Sequence, residues 1–125
     1  MKHSRHYTLE EANAALGWVQ ETLTSLRSAR EGLSDAEARE ALAEAGPQNG
    51  GGDAGRVVSE AFLRLRDSLA RLQEAEVVLR DLDRGLVDFP AIRDDREVYL
   101  CWLEGEDEIA FWHDLEAGFA GREPL

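Results

Sequence analysis

"REVYLCWLE", residues 96–104, is the stretch whose reading decides the fold. Side chains along a strand alternate between faces. That alternation places Val98, Leu100 and Trp102 on one side and Tyr99, Cys101 and Leu103 on the other. Both sets are largely apolar, which predicts a central strand buried on both faces. One face should meet helices, the other the chain's own tail or a partner subunit. Neighbouring segments extend the pattern. "GLVDFP" (85–90) and "DEIAFWHDL" (107–115) are rich in strand-favouring residues. "DR" (83–84) and "GEDE" (105–108) supply turns, and "VVLRD" (77–81) is short and β-branched. Pro90, lacking an N–H, is expected to close its strand and begin a loop. The reading is an antiparallel meander of three or four strands, with "AGFAGREPL" (117–125) docking on it as a tail.

Upstream the period changes from two to about 3.6. Thr8 with Glu11 forms a capping box, and Glu10 and Glu11 suit the positive end of a helix dipole. Leu9, Ala12, Leu16, Val19, Leu23 and Leu26 make one helical stripe, which predicts a helix over 8–33. Arg30 interrupts the stripe. Ser34 with Glu37 is a second capping box, predicting a short helix over 35–45 or a bent continuation of the first. "GPQNGGGDAG" (46–55), with five glycines and a proline, reads as a loop. Val58, Phe62, Leu65, Leu69 and Leu72 predict a second long helix over 56–75. Two such helices should pair antiparallel. The fold class is therefore α+β: a long antiparallel helix hairpin, about 8–76, packed on a small β-meander and tail formed by the C-terminal third, about 77–125. A chain of 125 residues suits one domain, 1–125, able to bury a core without disulfides.

The only cysteine, Cys101, permits no internal bridge and fits a reducing cytoplasm. No apolar run approaches the roughly 20 residues that span a bilayer, and nothing at the start resembles a secretory signal. The expectation is a soluble cytoplasmic protein with no membrane partner. Fourteen Lys and Arg face 26 Asp and Glu, giving a net charge of −12. Residues 94–116 hold nine acids and one base, Arg96. Such a field repels a phosphate backbone, so nucleic acid is not an expected partner. A basic protein, a small molecule or a cation fits better.

"YTLEEANAAL", "GLVDFP", "VYLCW", "GE", "FWH" and "GFAGR", in that order, resemble the bacterial family catalogued as domain of unknown function 2203. The resemblance spans nearly the whole chain apart from the Gly-rich stretch. It implies no established activity. It points to Asp88, Phe89, Cys101, Trp102, Gly105, Glu106, Trp112, His113, Gly118, Gly121 and Arg122 as motif positions. The chain departs from the family's pattern where relatives commonly place a glycine: at Glu76, ending the second helix, and in the loop after "DFPA", which here holds Asp94 and Asp95.

Chemistry-bearing residues cluster in the same third. A zinc site needs three or four converging ligands. Asp88, Cys101, Glu104, Glu106, His113 and Asp114 are available, without the spacing of a known ligand box. His3 and His6 lie on an N-terminus read as flexible. A turn near Gly105–Glu106 sets Cys101 opposite Ala110 or Phe111. His113 then lies two or three residues along, at least ~7 Å from the residue opposite, too far for zinc at ~2.0–2.3 Å from each ligand. Neither a metal nor a cofactor is expected on this reading. His113 and Asp114 are strand neighbours that point apart. His113 with Asp88 or Glu106 across the sheet would make an acid–base pair; otherwise His113 bonds a backbone carbonyl and helps lock the tail. No serine sits in a G-x-S-x-G elbow, and "GGG" followed by Asp53 is no phosphate loop. No catalytic residue is assigned. Arg122 should pair with Asp88, Glu104 or Glu106 as a clasp on the tail or an anchor for an anion. Trp102 and Trp112 on adjacent strands should pack together.

The resulting expectation is a non-enzymatic binding or scaffolding protein, forming a homodimer through helices or sheet. Its candidate binding residues are Asp88, Trp102, Glu106, Trp112, His113 and Arg122, with Trp102, Trp112, His113 and Arg122 at the surface. The alternative is a small cation-dependent hydrolase using His113 with Asp88 and Glu106.

Overall fold

The computed structural model describes residues 1–45 and 51–125, with the backbone alone described over 36–45 and 51–58. Two helices, α1 (Leu9–Ala45) and α2 (Gly51–Glu74), pack against each other and precede five strands. The strands are β1 (Val78–Asp81), β2 (Leu86–Arg93), β3 (Arg96–Leu103), β4 (Phe111–Asp114) and β5 (Glu123–Pro124). They form one antiparallel sheet in the order β1-β2-β3-β4-β5, a meander with β3 at its centre. The α+β reading holds, with one strand more than expected because the tail pairs as β5 after a single turn of 3-10 helix at Phe119–Gly121.

α1 starts as its sequence dictates. The Thr8 N–H donates to Glu11 Oε1 (2.9 Å) and the Glu11 N–H to Thr8 Oγ1 (3.1 Å). Hydrogen bonding from the Thr8 backbone N–H and side chain draws the Glu11 carboxyl below its usual range. Ala12, Val19, Leu23, Leu26 and Ala29 form the buried line, while Leu9 is 42% exposed and lies off the core. No second helix begins at Ser34: α1 runs unbroken to Ala45. A capping box inside a helical run offers nothing the preceding turn does not already satisfy. The expected loop over 46–55 lies outside the described residues for 46–50, and 51–55 belong to α2.

α2 ends in a Schellman arrangement. The Val77 N–H reaches the Leu72 carbonyl (3.0 Å) and the Glu76 N–H the Gln73 carbonyl (3.1 Å), with Glu76 itself at φ +56°. Asp94 (φ +51°) and Asp95 (φ +62°) form the two-residue turn between β2 and β3. Two successive positive φ values mark the type I′ geometry that matches strand twist. Among the described residues, the three non-glycine positions with positive φ are thus all acidic.

Pro90 does not close its strand; it lies within β2, opposite Tyr99. Its carbonyl accepts the Tyr7 N–H (2.7 Å), so the backbone of residue 90 faces away from β3. The missing N–H would have pointed to that same side, beyond the end of β1, so no ladder bond is lost.

The two faces of the sheet differ sharply. Val87, Phe89, Ala91, Val98, Leu100, Trp102 and Trp112 join the α1 stripe, Leu72 and Tyr7 in one apolar core. Leu86, Asp88, Tyr99, Cys101 and His113 fall on the other face and are buried as well. The tail and a set of arginines cover them: Arg122 lies 4.0 Å from the Phe111 ring and 4.8 Å from the Phe119 ring, and Arg80 5.0 Å from that of Tyr99. No described helix is long and apolar enough to cross a membrane.

Candidate functional site

The tail-side face holds the polar cluster. Asp88 on β2 stands opposite Cys101 on β3, and His113 on β4 stands opposite Tyr99. β2 and β4 flank β3, so their backbones lie roughly 9–10 Å apart. The carboxylate and imidazole meet over Cys101, whose small side chain leaves them room. Their Oδ1 and Nε2 atoms are 3.0 Å apart, with Asp88 and His113 each 1% exposed. His113 Nδ1 donates to the Asp114 carbonyl at 2.7 Å, since a carbonyl oxygen only accepts. Arg80 Nε donates to Asp88 Oδ2 at 2.8 Å. His113 thus meets Asp88 and bonds a backbone carbonyl at once, the carbonyl being that of its own neighbour rather than of the tail. The Asp114 side chain points away and pairs with Arg96 (3.1 Å).

The sequence argument separating Cys101 from His113 is overturned. One donor atom each from Asp88, Cys101 and His113 lie within 4.8 Å of one another. The hairpin does place Cys101 opposite Phe111. The diagonal distance, however, separates positions on the strands; side chains leaning inward on one face close it. Cys101 is no activated nucleophile. Burial, reinforced by the Asp88 charge, pushes its thiol up to about 12, whereas a reactive cysteine needs a depressed value.

Glu106 is engaged elsewhere. Arg122 Nη2 donates to both its oxygens (2.9 and 2.7 Å), and its Oε1 also accepts the Leu103 N–H (2.7 Å). The Glu106 carbonyl in turn accepts Trp102 Nε1–H (2.9 Å). Arg122 is thus a clasp from the tail to the β3–β4 connection, choosing Glu106 among its three candidate partners. Its Nε is buried and without a hydrogen-bond partner. Glu104 is held instead by Arg27 of α1, which also donates twice to the Leu82 carbonyl (3.1 and 2.8 Å).

Trp102 and Trp112 both lie in the helix-side core and, like His113, are buried, so these residues form no exposed aromatic surface. Trp102 and Glu106 share a shallow recess of about 300 Å³ with Leu16, Gly17, Gln20, Gly105 and Asp107. The N-terminus, read as flexible, is bound down. Glu97 accepts the backbone N–H groups of Lys2 (2.8 Å) and His3 (2.9 Å) and lies 2.8 Å from His6 Nε2. Burial alone would raise the Glu97 carboxyl, but these bonds outweigh it and bring it down to about 2. Glu76 likewise accepts the Ser4 and Arg5 N–H groups. The sequence reading missed Arg27, Arg80, Glu97 and Asn13, whose Oδ1 accepts the Ile109 N–H (2.7 Å). For Arg80 a signal existed: two residues beyond Val78 in a short strand, it shares a sheet face with Asp88.

A helix hairpin backing a five-stranded meander, with a sealed polar layer on the opposite face, defines a small α+β protein built around its last strands. A family model described as "Uncharacterized conserved protein (DUF2203)" matches residues 5–125, and the chain belongs to that family. No curated protein and no solved structure was found to match it.

Proposed function

We propose that this chain is a non-enzymatic binding or scaffolding protein that works as a homodimer through α2. The observation that carries this reading is the outer half of the α2 stripe. Ala61 and Leu72 bury the inner half, yet Phe62 is 56% and Leu69 45% exposed. Phe62, Leu65, Leu69 and Leu72 step by three and four, the spacing by which helices pack against helices. Leu79, on the edge strand β1, adds to the apolar border beside Leu69.

Charge favours a second copy as the occupant. The chain carries −12 overall, so two copies repel across most of their surfaces. From Ser59 to Glu74, however, Arg64, Arg66 and Arg71 balance Glu60, Asp67 and Glu74. Apposing α2 on α2 brings no net like charge together. Sedimentation equilibrium of the wild type and of Phe62→Glu/Leu69→Glu is the test. A dimer that becomes a folded monomer in the variant is expected. A monomeric wild type, or a dimer indifferent to both changes, would sink the proposal.

The second reading, a small cation-dependent hydrolase using His113, Asp88 and Glu106, draws support from the 3.0 Å Asp88–His113 contact. It requires Glu106 to leave Arg122 and Leu103. Candidate binding roles for Trp102 and Glu106 rest on their shared recess, and that of Arg122 on its clasp.

A further inference from the structure

We infer that Asp88, Cys101 and His113 form a binding site for a transition-metal dication of the zinc class. The inference is independent of the dimer reading and rests on two observations. The first is convergence: three ligand types that zinc accepts, all buried, with donor atoms within 4.8 Å of one another. Zinc at ~2.0–2.3 Å from each ligand needs these atoms to draw together by about 1 Å.

The second observation is the hydrogen-bond pattern around His113. Nδ1 commits its proton to the Asp114 carbonyl, so Nε2 of the neutral ring presents a lone pair. The atom facing it at 3.0 Å is a carboxylate oxygen, whose partner oxygen already accepts from Arg80. Nε2 and Oδ1 thus face one small volume beside the Cys101 thiol, a place that suits a cation. A proton fills that role at minimum; a metal fills it with the thiol as third ligand. A ring N–H donated to a backbone carbonyl is the outer-shell contact that orients metal-binding histidines. As the dication enters, the thiol proton and the proton between Nε2 and Oδ1 leave. Asp88⁻ and the Cys101 thiolate then balance the two positive charges. The fourth position goes to water.

Cobalt(II) titration of the purified full chain, followed by zinc(II) competition, tests the site. Cys101 is the only cysteine, so any thiolate-to-cobalt charge-transfer band in the near ultraviolet reports it without a variant. The expected result is such a band saturating at one cobalt per chain, abolished by zinc. It should persist in His3→Ala/His6→Ala, and His113→Gln should weaken cobalt binding by at least tenfold. Cobalt bound without the sulfur band, a band lost with the N-terminal histidines, or no binding at all would each overturn the inference.

Discussion

The two faces of the sheet are buried to a similar degree by different chemistry. On the helix side, Phe89, Val98, Leu100 and Trp102 are held by area removed from water, a non-directional force that tolerates small adjustments. On the tail side, Asp88, Cys101 and His113 are held by a few directed bonds. Removing one member there leaves a desolvated partner behind. Equal burial does not mean equal sensitivity: one face responds to lost volume, the other to lost pairing.

The largest test of this contrast is on the apolar side. Phe89→Ala should cost about 4 kcal/mol through lost transfer energy and a cavity, measured by urea unfolding. On the polar side, Asp88→Leu and His113→Leu should each cost about 3 kcal/mol as single changes. The double variant should cost less than their sum, because it strands fewer groups than two separate losses. Additive costs in that cycle would erase the distinction between the faces.

Arg27→Ala probes what joins the helices to the sheet margin. It removes the bonds to Leu82 and Glu104, for about 2 kcal/mol, and should raise amide exchange around residues 82–86. The N-terminal segment carries a pH effect. The Glu97 carboxyl has a folded value of about 2, below its unfolded one. Its contribution is therefore complete above pH ~4.5 and lost as pH falls toward 2. Hydrogen exchange at Lys2 and His3 should rise across that window while β3 stays protected. Simultaneous loss of protection in both would place the segment within the cooperative core.

The smallest effect concerns the left-handed positions. Asp95→Gly should stabilise by about 1 kcal/mol, because glycine adopts φ > 0 without side-chain strain. Glu76→Gly relieves the same strain but removes the acceptor for Ser4 and Arg5. Its melting temperature should therefore rise less than that of Asp95→Gly.

Much of the fold was legible because its signals are local and periodic. The Thr8–Glu11 box sets the start of α1, and strict alternation from Val98 to Leu103 sets the central strand and assigns both faces. The failures share a different cause. Pro90 was misread because whether a strand needs a given N–H depends on where its neighbour ends, and β1 stops before residue 90. Ser34–Glu37 reads as a helix start only if the previous helix stops, which no residue nearby enforces. The approach of Cys101 to His113 depends on how side chains lean across three strands, and strand spacing alone does not supply that. Glu76 departs from glycine yet keeps its turn, since its carboxylate gains Ser4 and Arg5 as partners from the far end of the chain.

The short length of β1 has one more consequence. It leaves residues 89–93 of β2 without a strand on one side, a stretch where a foreign chain could add itself as an extra strand and seed aggregation. Pro90 withholds a donor there, and the Tyr7 N–H already occupies its carbonyl. Tyr7, anchored in the core, thus acts as a guard rail at that open margin.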